Sequence, residues 1–206
     1  MKVDFRVYLI TDRKLASGGD IAGTVEKALE GGVRAVQLRE KDLPGKELFR
    51  LAEKLRASTA RYGAKLLVND RADVAKSVGA DGVHLGVFSI TPREARSLLG
   101  KESLIGCSAH SLEELRGAEE EGADFATFGP VYATPSKAAF GRPLGVAALA
   151  EACGKARIPV FALGGVAAHN AAEVARAGCF GIALISGIVA AADPRAAARE
   201  LTERFA

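Results

Sequence analysis

Gln37, Arg39 and Lys41 stand at alternate positions of "VQLREKD" (36–42), with Val36 and Leu38 between them. Successive side chains of a strand point to opposite faces, so this spacing gathers an amide, a guanidinium and an ammonium on one side. Cations on the inner face of a core strand are costly without partners, and a bound anion would supply those partners through charge-assisted hydrogen bonds. The segment also allows a surface loop in which Arg39 and Lys41 pair with Glu40 and Asp42.

A second chemical group closes "KLLVND" (65–70), where Asn69 and Asp70 sit side by side. A carboxylate beside an amide suits Mg2+, which takes one or two carboxylates and completes its shell with water and substrate phosphate oxygens. Asp70 could equally cap a helix starting near Arg71. Further along, the Gly- and Pro-rich "FGPVYATPSKAAFGRPLG" (128–145) carries Thr134, Ser136 and Lys137, hydroxyls and an ammonium suited to a phosphate-bearing ligand. Long ordered loops in compact domains are usually functional, and flanking glycines would let this one close as a lid; a plain surface loop is the bland alternative. "LGGV" (163–166) and "ISG" (185–187) add turns whose backbone N–H groups can hold phosphate, through Gly164, Gly165, Ile185 and Ser186.

The histidines and cysteines say less. His84 fits a hydrogen-bonded core histidine better than a ligand, His110 next to Ala109 and Ser108 is a candidate rim residue, and His169 fits the start of a helix. Cys107 in "GCSAH" has no sign of activation, and no nucleophile and base are set out as a triad.

The elements that must position these groups repeat along the chain. Strand-like runs occur at 7–11, 35–40, 65–70, 82–86, 104–109, 125–131, 159–165 and 181–187, with helical patterns between them. "TPRE" (91–94) and "SLEE" (111–114) read as capping boxes, and "DP" (193–194) as an Asp cap followed by Pro in the first turn. "EGGVRAVQL", "VGADGVHL", "EGADFATF" and "AGCFGIAL" are variants of one unit in which a glycine ends a helix, at positive φ, before the next strand. Short connections and eight alternating units predict one α/β domain over residues 1–206, a (β/α)8 TIM barrel. An open doubly wound sheet is the competing architecture, although "TDRKLASGGD" lacks the Gly-rich dinucleotide loop usual after its first strand. In a barrel the active site lies at the carboxyl ends of the strands, where Gln37, Arg39, Lys41, Asn69, Asp70 and the loop after strand six would fall, and the turns after strands seven and eight frequently form a phosphate site.

Composition narrows the partners. With 28 Lys and Arg against 25 Asp and Glu, the net charge is only +3, and no long basic cluster supports nucleic-acid binding. Three widely spaced cysteines indicate reduced thiols rather than a disulfide framework or zinc site. The first residues make a poor signal peptide and no run is long enough to span a bilayer, so a cytoplasmic location without membrane partners is expected. Homo-oligomer formation is compatible with the sequence.

Taken in order, "YLITDR", "QLREK", "VNDR", "ADGVHLG", "IGCSAHS", "GADFATFGPVYATPSK", "ALGGV" and "ISGI" resemble the thiamin phosphate synthases and their relatives, the TenI-type thiazole tautomerases, over essentially the whole chain. The resemblance implies a TIM barrel and, for the synthase branch, Mg2+-dependent coupling of hydroxymethylpyrimidine pyrophosphate to thiazole phosphate with release of pyrophosphate. It implies that Gln37, Arg39, Lys41 and Asn69 bind the pyrimidine substrate, that Asp70 holds the metal, and that Ser108 and Lys137 assist pyrophosphate departure. It also implies that Thr134, Ser136, Gly164, Gly165, Ile185 and Ser186 line the thiazole phosphate pocket. Synthases typically follow strand four with "GQxD", whereas this chain reads "GVFS", placing Val87 and Ser89 where the pyrimidine-contacting Gln and a second metal carboxylate stand. That loop looks more like the tautomerase branch, which needs no metal; Pro130 stands where that branch sometimes carries a proton-transferring His. A silent thiazole phosphate-binding protein is the non-enzymatic alternative.

Overall fold

A computed structural model describes residues 3–134 and 142–205. Eight parallel strands run β1 Val7–Ile10, β2 Ala35–Leu38, β3 Lys65–Asn69, β4 Gly82–Leu85, β5 Leu104–Ala109, β6 Phe125–Phe128, β7 Val160–Leu163 and β8 Gly181–Leu184. Each pairs with the next, and β8 returns to β1 with Val7 opposite Ile182, which closes the barrel and removes the open-sheet alternative. The described helices are α1 Ile21–Glu30, α2 Gly45–Arg61, α3 Ala72–Ser77, α4 Pro92–Leu99, α5 Leu112–Glu120, α6 Gly145–Lys155, α7 Ala171–Arg176, α8 Ser186–Val189 and α9 Pro194–Arg204. No described helix is long and apolar enough to cross a membrane.

Each strand faces two cores. Val7, Leu9, Val36, Leu38, Val83, Leu85, Ile105 and Cys107 face the helices, while Tyr8, Ile10, Ala35, Leu67, Leu104, Phe125 and Phe161 fill the lumen. That alternation is the period-two pattern of a pleated strand buried on both faces. Phe5, Tyr8, Phe125 and Phe161 pack as a cage of tilted and edge-on rings whose centroids lie 5.3 to 6.2 Å apart. The cage excludes water from one part of the lumen and leaves polar groups to the rest.

Helix boundaries follow the expected chemistry, with one correction. Thr91 accepts from the Glu94 N–H while the Glu94 carboxylate accepts from the Thr91 N–H, a complete capping box, and Asp193 caps Ala196 ahead of Pro194. At α5 the box is only half formed: Ser111 caps Glu114, but the Glu114 carboxylate turns instead to the backbone N–H of His110, at 2.6 Å. Gly32, Gly79, Gly122 and Gly178 all have positive φ where helices give way to strands, as the repeated unit predicts.

Candidate active site

The phase of β2 carries straight to the mouth. Ala35 and Gln37 point into the lumen, and Arg39, half-buried one step beyond the strand, continues that face. Its backbone N–H is held by the Thr11 hydroxyl at 2.9 Å, and the Thr11 N–H donates to the Gln37 carbonyl, so the ends of β1 and β2 are tied. Glu40 and Asp42 do not pair with Arg39 and Lys41. Arg13 reaches both carboxylates, at 3.1 Å and 2.6 Å, and Lys14 lies 2.8 Å from Asp42. The surface-loop pairing is thereby overturned, and the hydrogen bonds from Arg13 and Lys14 hold the Asp42 carboxyl well below the usual range. Lys41 is exposed beyond Arg39.

Asp70 is the one non-glycine residue with positive φ among the described residues, at +60°. Left-handed backbone outside glycine costs of order 1 kcal/mol and persists where the surroundings enforce it. Here they do. The Asp70 N–H donates to the His84 carbonyl at 3.0 Å, Asn69 Nδ2 donates to one carboxylate oxygen at 2.7 Å, and the Ser89 hydroxyl donates to the other. The Gly86 N–H, 2.7 Å from Ser89 Oγ, also leans toward Asp70 at 3.3 Å. The helix-cap alternative fails on this geometry, since α3 has Arg71 at its N-cap with no side-chain bond and the Asp70 carboxylate faces the loop after β4. Asp70 and Ser89 offer oxygen donors at an open mouth, while no group of three or more His, Cys, Asp or Glu is placed for a metal among the described residues. Such a set fits a hard cation whose shell is completed by water and ligand phosphate, and does not fit zinc.

Between the aromatic cage and this mouth lies His84, buried and facing the lumen. Its Nε2 is 3.1 Å from Ser108 Oγ and 3.5 Å from Thr127 Oγ1, and its Nδ1 is 3.4 Å from the Tyr8 hydroxyl. Burial pushes the imidazole down to about 3, the Asp70 carboxylate pulls it back, and the Arg39 guanidinium adds to the depression, so both charges are felt at this ring. The stability contributed by keeping His84 neutral is fully present above its ordinary value of 6.5 and is lost as pH falls toward about 3, because only the unfolded chain takes up the proton. Wild type should therefore lose stability relative to a His84→Gln variant between pH values of about 7 and about 4. Denaturant midpoints at both values test this, and parallel losses would contradict it.

A second cluster forms at the ends of β6, β7 and β8. The Val131 and Tyr132 N–H groups donate to the carbonyls of Leu163 and Gly164, laying the loop after β6 along the turn after β7. A Cβ at Gly164 would come within 2.6 Å of Pro130 Cβ, and one at Gly165 within 2.6 Å of Tyr132 Cβ, so only glycine admits this approach. A Cβ on Gly187 would lie 3.5 Å from the Val166 carbonyl oxygen, which puts the Gly164–Gly165 turn beside the one carrying Ile185 and Ser186. Of this loop the described residues run to Thr134 and resume at Arg142; Ser136 and Lys137 lie outside the described residues.

A family model described as thiamine monophosphate synthase matches residues 7–188. The chain belongs to that family. A relative from Geobacter sulfurreducens, named provisionally as a thiamine-phosphate synthase, is 55% identical over 97% of this chain and 94% of its own length. A Moorella thermoacetica thiamine-phosphate synthase is 42% identical over 96% of this chain and 94% of its own. The solved thiamine phosphate pyrophosphorylase from Pyrococcus furiosus superposes with a TM-score of 0.90 at 38% identity, covering 98% of this chain and 95% of that one.

Within this family member the barrel brings Gln37, Arg39, Asn69, Asp70 and Ser108 to the lumen and its mouth, and sets Gly164, Gly165, Ile185 and Ser186 in adjacent turns of the same rim. His110 is a half-exposed residue bonded to Glu114 at 3.0 Å, and His169 precedes α7, whose N-cap is Asn170. The Cys107 thiol is pushed up to about 12 by burial, in keeping with an unreactive side chain. Tyr8, Thr11, Arg13 and Thr127 were not singled out in the sequence. The lumen phase of "VYLIT" would have found Tyr8, but nothing local marks Arg13 as the partner of Glu40, 27 positions away.

Proposed function

We propose that the protein is a thiamin phosphate synthase, a transferase that joins hydroxymethylpyrimidine pyrophosphate to thiazole phosphate and releases pyrophosphate. The observation that carries this reading is the meeting of Arg39, Asn69, Asp70 and Ser108 on one barrel mouth in a chain whose full-length relatives bear that name. Gln37, Arg39, Lys41 and Asn69 meet the pyrimidine substrate, at its ring or its pyrophosphate. Ser108 and Lys137 donate to the departing group, while Thr134, Ser136, Gly164, Gly165, Ile185 and Ser186 hold the thiazole phosphate.

The chemistry suits this inventory. The carbon–oxygen bond to pyrophosphate breaks with its electron pair leaving on oxygen, and the thiazole nitrogen lone pair forms the new carbon–nitrogen bond. Negative charge grows on the leaving group, so fixed donors aimed at it stabilise the transition state more than the ground state. The electron-rich pyrimidine carries the transient positive charge, and no protein nucleophile is required. Asp70, with Ser89 beside it, would hold a Mg2+ that neutralises pyrophosphate charge when bound.

The loop "GVFS" favours a second reading, thiazole tautomerase, because Val87 and Ser89 replace a Gln and an Asp usual in synthases. Incubation with both substrates, with and without Mg2+, separates the two. Metal-dependent thiamin phosphate is the expected product; its absence at high enzyme, with deuterium exchange into the thiazole carboxylate phosphate alone, would establish the tautomerase. Tight thiazole phosphate binding with neither reaction would leave a silent binder. Since Ser89 Oγ already bonds Asp70, Ser89→Asp should lower the Mg2+ concentration needed for half-maximal turnover by about tenfold. An unchanged metal titration would separate Asp70 from the metal.

A further inference from the structure

Gln37, Tyr8, His84 and Ser108 come from β2, β1, β4 and β5, yet they form one hydrogen-bonded run across the lumen. Gln37 Nε2 lies 3.1 Å from the Tyr8 oxygen, that oxygen 3.4 Å from His84 Nδ1, and His84 Nε2 3.1 Å from Ser108 Oγ. Tyr8, Gln37 and His84 are 0%, 1% and 2% exposed, so water does not stand in for any of these partners, while Ser108 is partly open.

Proton counting gives the run a direction. The Tyr8 oxygen accepts from the Gln37 amide, so its single proton goes to His84 Nδ1. A neutral imidazole that accepts at Nδ1 carries its proton at Nε2 and gives it to Ser108 Oγ at 3.1 Å, the nearer of its two hydroxyl neighbours, Thr127 Oγ1 standing at 3.5 Å. With its inward lone pair occupied, Ser108 has its own proton left to turn toward the mouth. We propose that Tyr8 and His84 form an orientation relay, fixing the Nε2–H tautomer so that Ser108 is presented as a hydrogen-bond donor to the leaving group. The proposal rests on the synthase reading for what Ser108 meets. Tyr8 and His84 are positioning residues in it.

The surroundings hold the relay in place. The His84 ring lies 5.7 Å from that of Tyr8 and 5.8 Å from that of Phe125, in tilted contacts that limit ring flips. Room for the imidazole depends on Gly106, where a Cβ would lie 2.6 Å from Nδ1. The reverse order has Nδ1–H donating to Tyr8 and Ser108 donating inward to Nε2, and it either turns the Gln37 amide over so that its oxygen accepts from Tyr8 or takes the buried Tyr8 proton off both Gln37 and His84. That order points the Ser108 proton away from the mouth. Electrostatic stabilisation works when the donor is aimed before charge develops, so the two orders differ in function.

The tautomer is read directly from the side-chain nitrogens of His84 in 15N-labelled protein. A protonated Nε2 with a bare Nδ1 is expected, and a protonated Nδ1, or exchange between the two forms, overturns the relay. This measurement needs no turnover, so it stands apart from any failure of the synthase assay. Kinetically, Tyr8→Phe should lower kcat about tenfold with KM for the pyrimidine pyrophosphate nearly unchanged. In a Ser108→Ala background the same change should cost little more, because no hydroxyl remains to be aimed. Equal losses in both backgrounds would make Tyr8 merely structural. His84→Gln, which can return an N–H toward Ser108, should retain more activity than His84→Met, and the opposite ranking would also reject the relay.

Discussion

Replacing Asp70 by Asn is expected to lower kcat by about 10²-fold or more while changing stability by less than about 1 kcal/mol. Asn tolerates left-handed backbone, so the φ of +60° survives and the chain still turns toward α3. The lost charge is what matters. One carboxylate takes Asn69, Ser89 and the Gly86 N–H together, which fixes the loop after β4 against the end of β3, and it is the acidic ligand proposed for the cation. An amide in its place keeps one acceptor oxygen and turns the other position into a donor, so either Asn69 or the Ser89 and Gly86 donors lose their acceptor, and it removes the attraction for a divalent ion. Steady-state kinetics across a Mg2+ titration, with a thermal melt as control, measure both halves. Activity within threefold of wild type would remove Asp70 from the site.

Gly82→Ala is expected to cost about 3 kcal/mol or more, a large share of a domain's net stability. Gly82 opens β4 on the lumen side, paired to Leu67 on one edge and Leu104 on the other. A Cβ there would overlap the Leu104 carbonyl oxygen and lie 2.6 Å from its carbon and 2.8 Å from its nitrogen. Backbone on both sides is locked by ladder bonds in a closed barrel, so relief by a small shift is not available. Gly117→Ala is the control: it lies in α5 with nothing within 4 Å of the added Cβ, and it should be neutral or stabilising by about 0.5–1 kcal/mol. Urea midpoints of the two variants settle the contrast, and a Gly82 variant as stable as the control would show that β4 and β5 are not packed this closely.

Much of the architecture was legible because its causes are local. The alternation of "VYLIT" and "AVQLRE", the glycines that end helices at positive φ, and the caps at Thr91 and Asp193 each involve neighbours a few positions apart. Even the half-formed box at Ser111 departs from the local pattern only in where Glu114 turns, toward His110 rather than back to the cap. The candidate site was legible in outline for the same reason, since Gln37 and Arg39 follow from strand phase and Asn69 and Asp70 from a strand end. Their partners were not. Ser89 holds Asp70 from 19 positions away, and Arg13 removes Glu40 and Asp42 from contention with Arg39 and Lys41 from 27 and 29 positions away.

The sequence alone therefore determined the repeating strand and helix units, their eightfold alternation, and the residue types delivered to the carboxyl ends of the strands. Closure decided the rest: Tyr8 meets His84 across 76 residues, and His84 meets Ser108 across 24, only because neighbouring strands settle into one register around a common lumen. Register is fixed by packing and pairing summed around the ring, a non-local property that no short stretch of chain encodes.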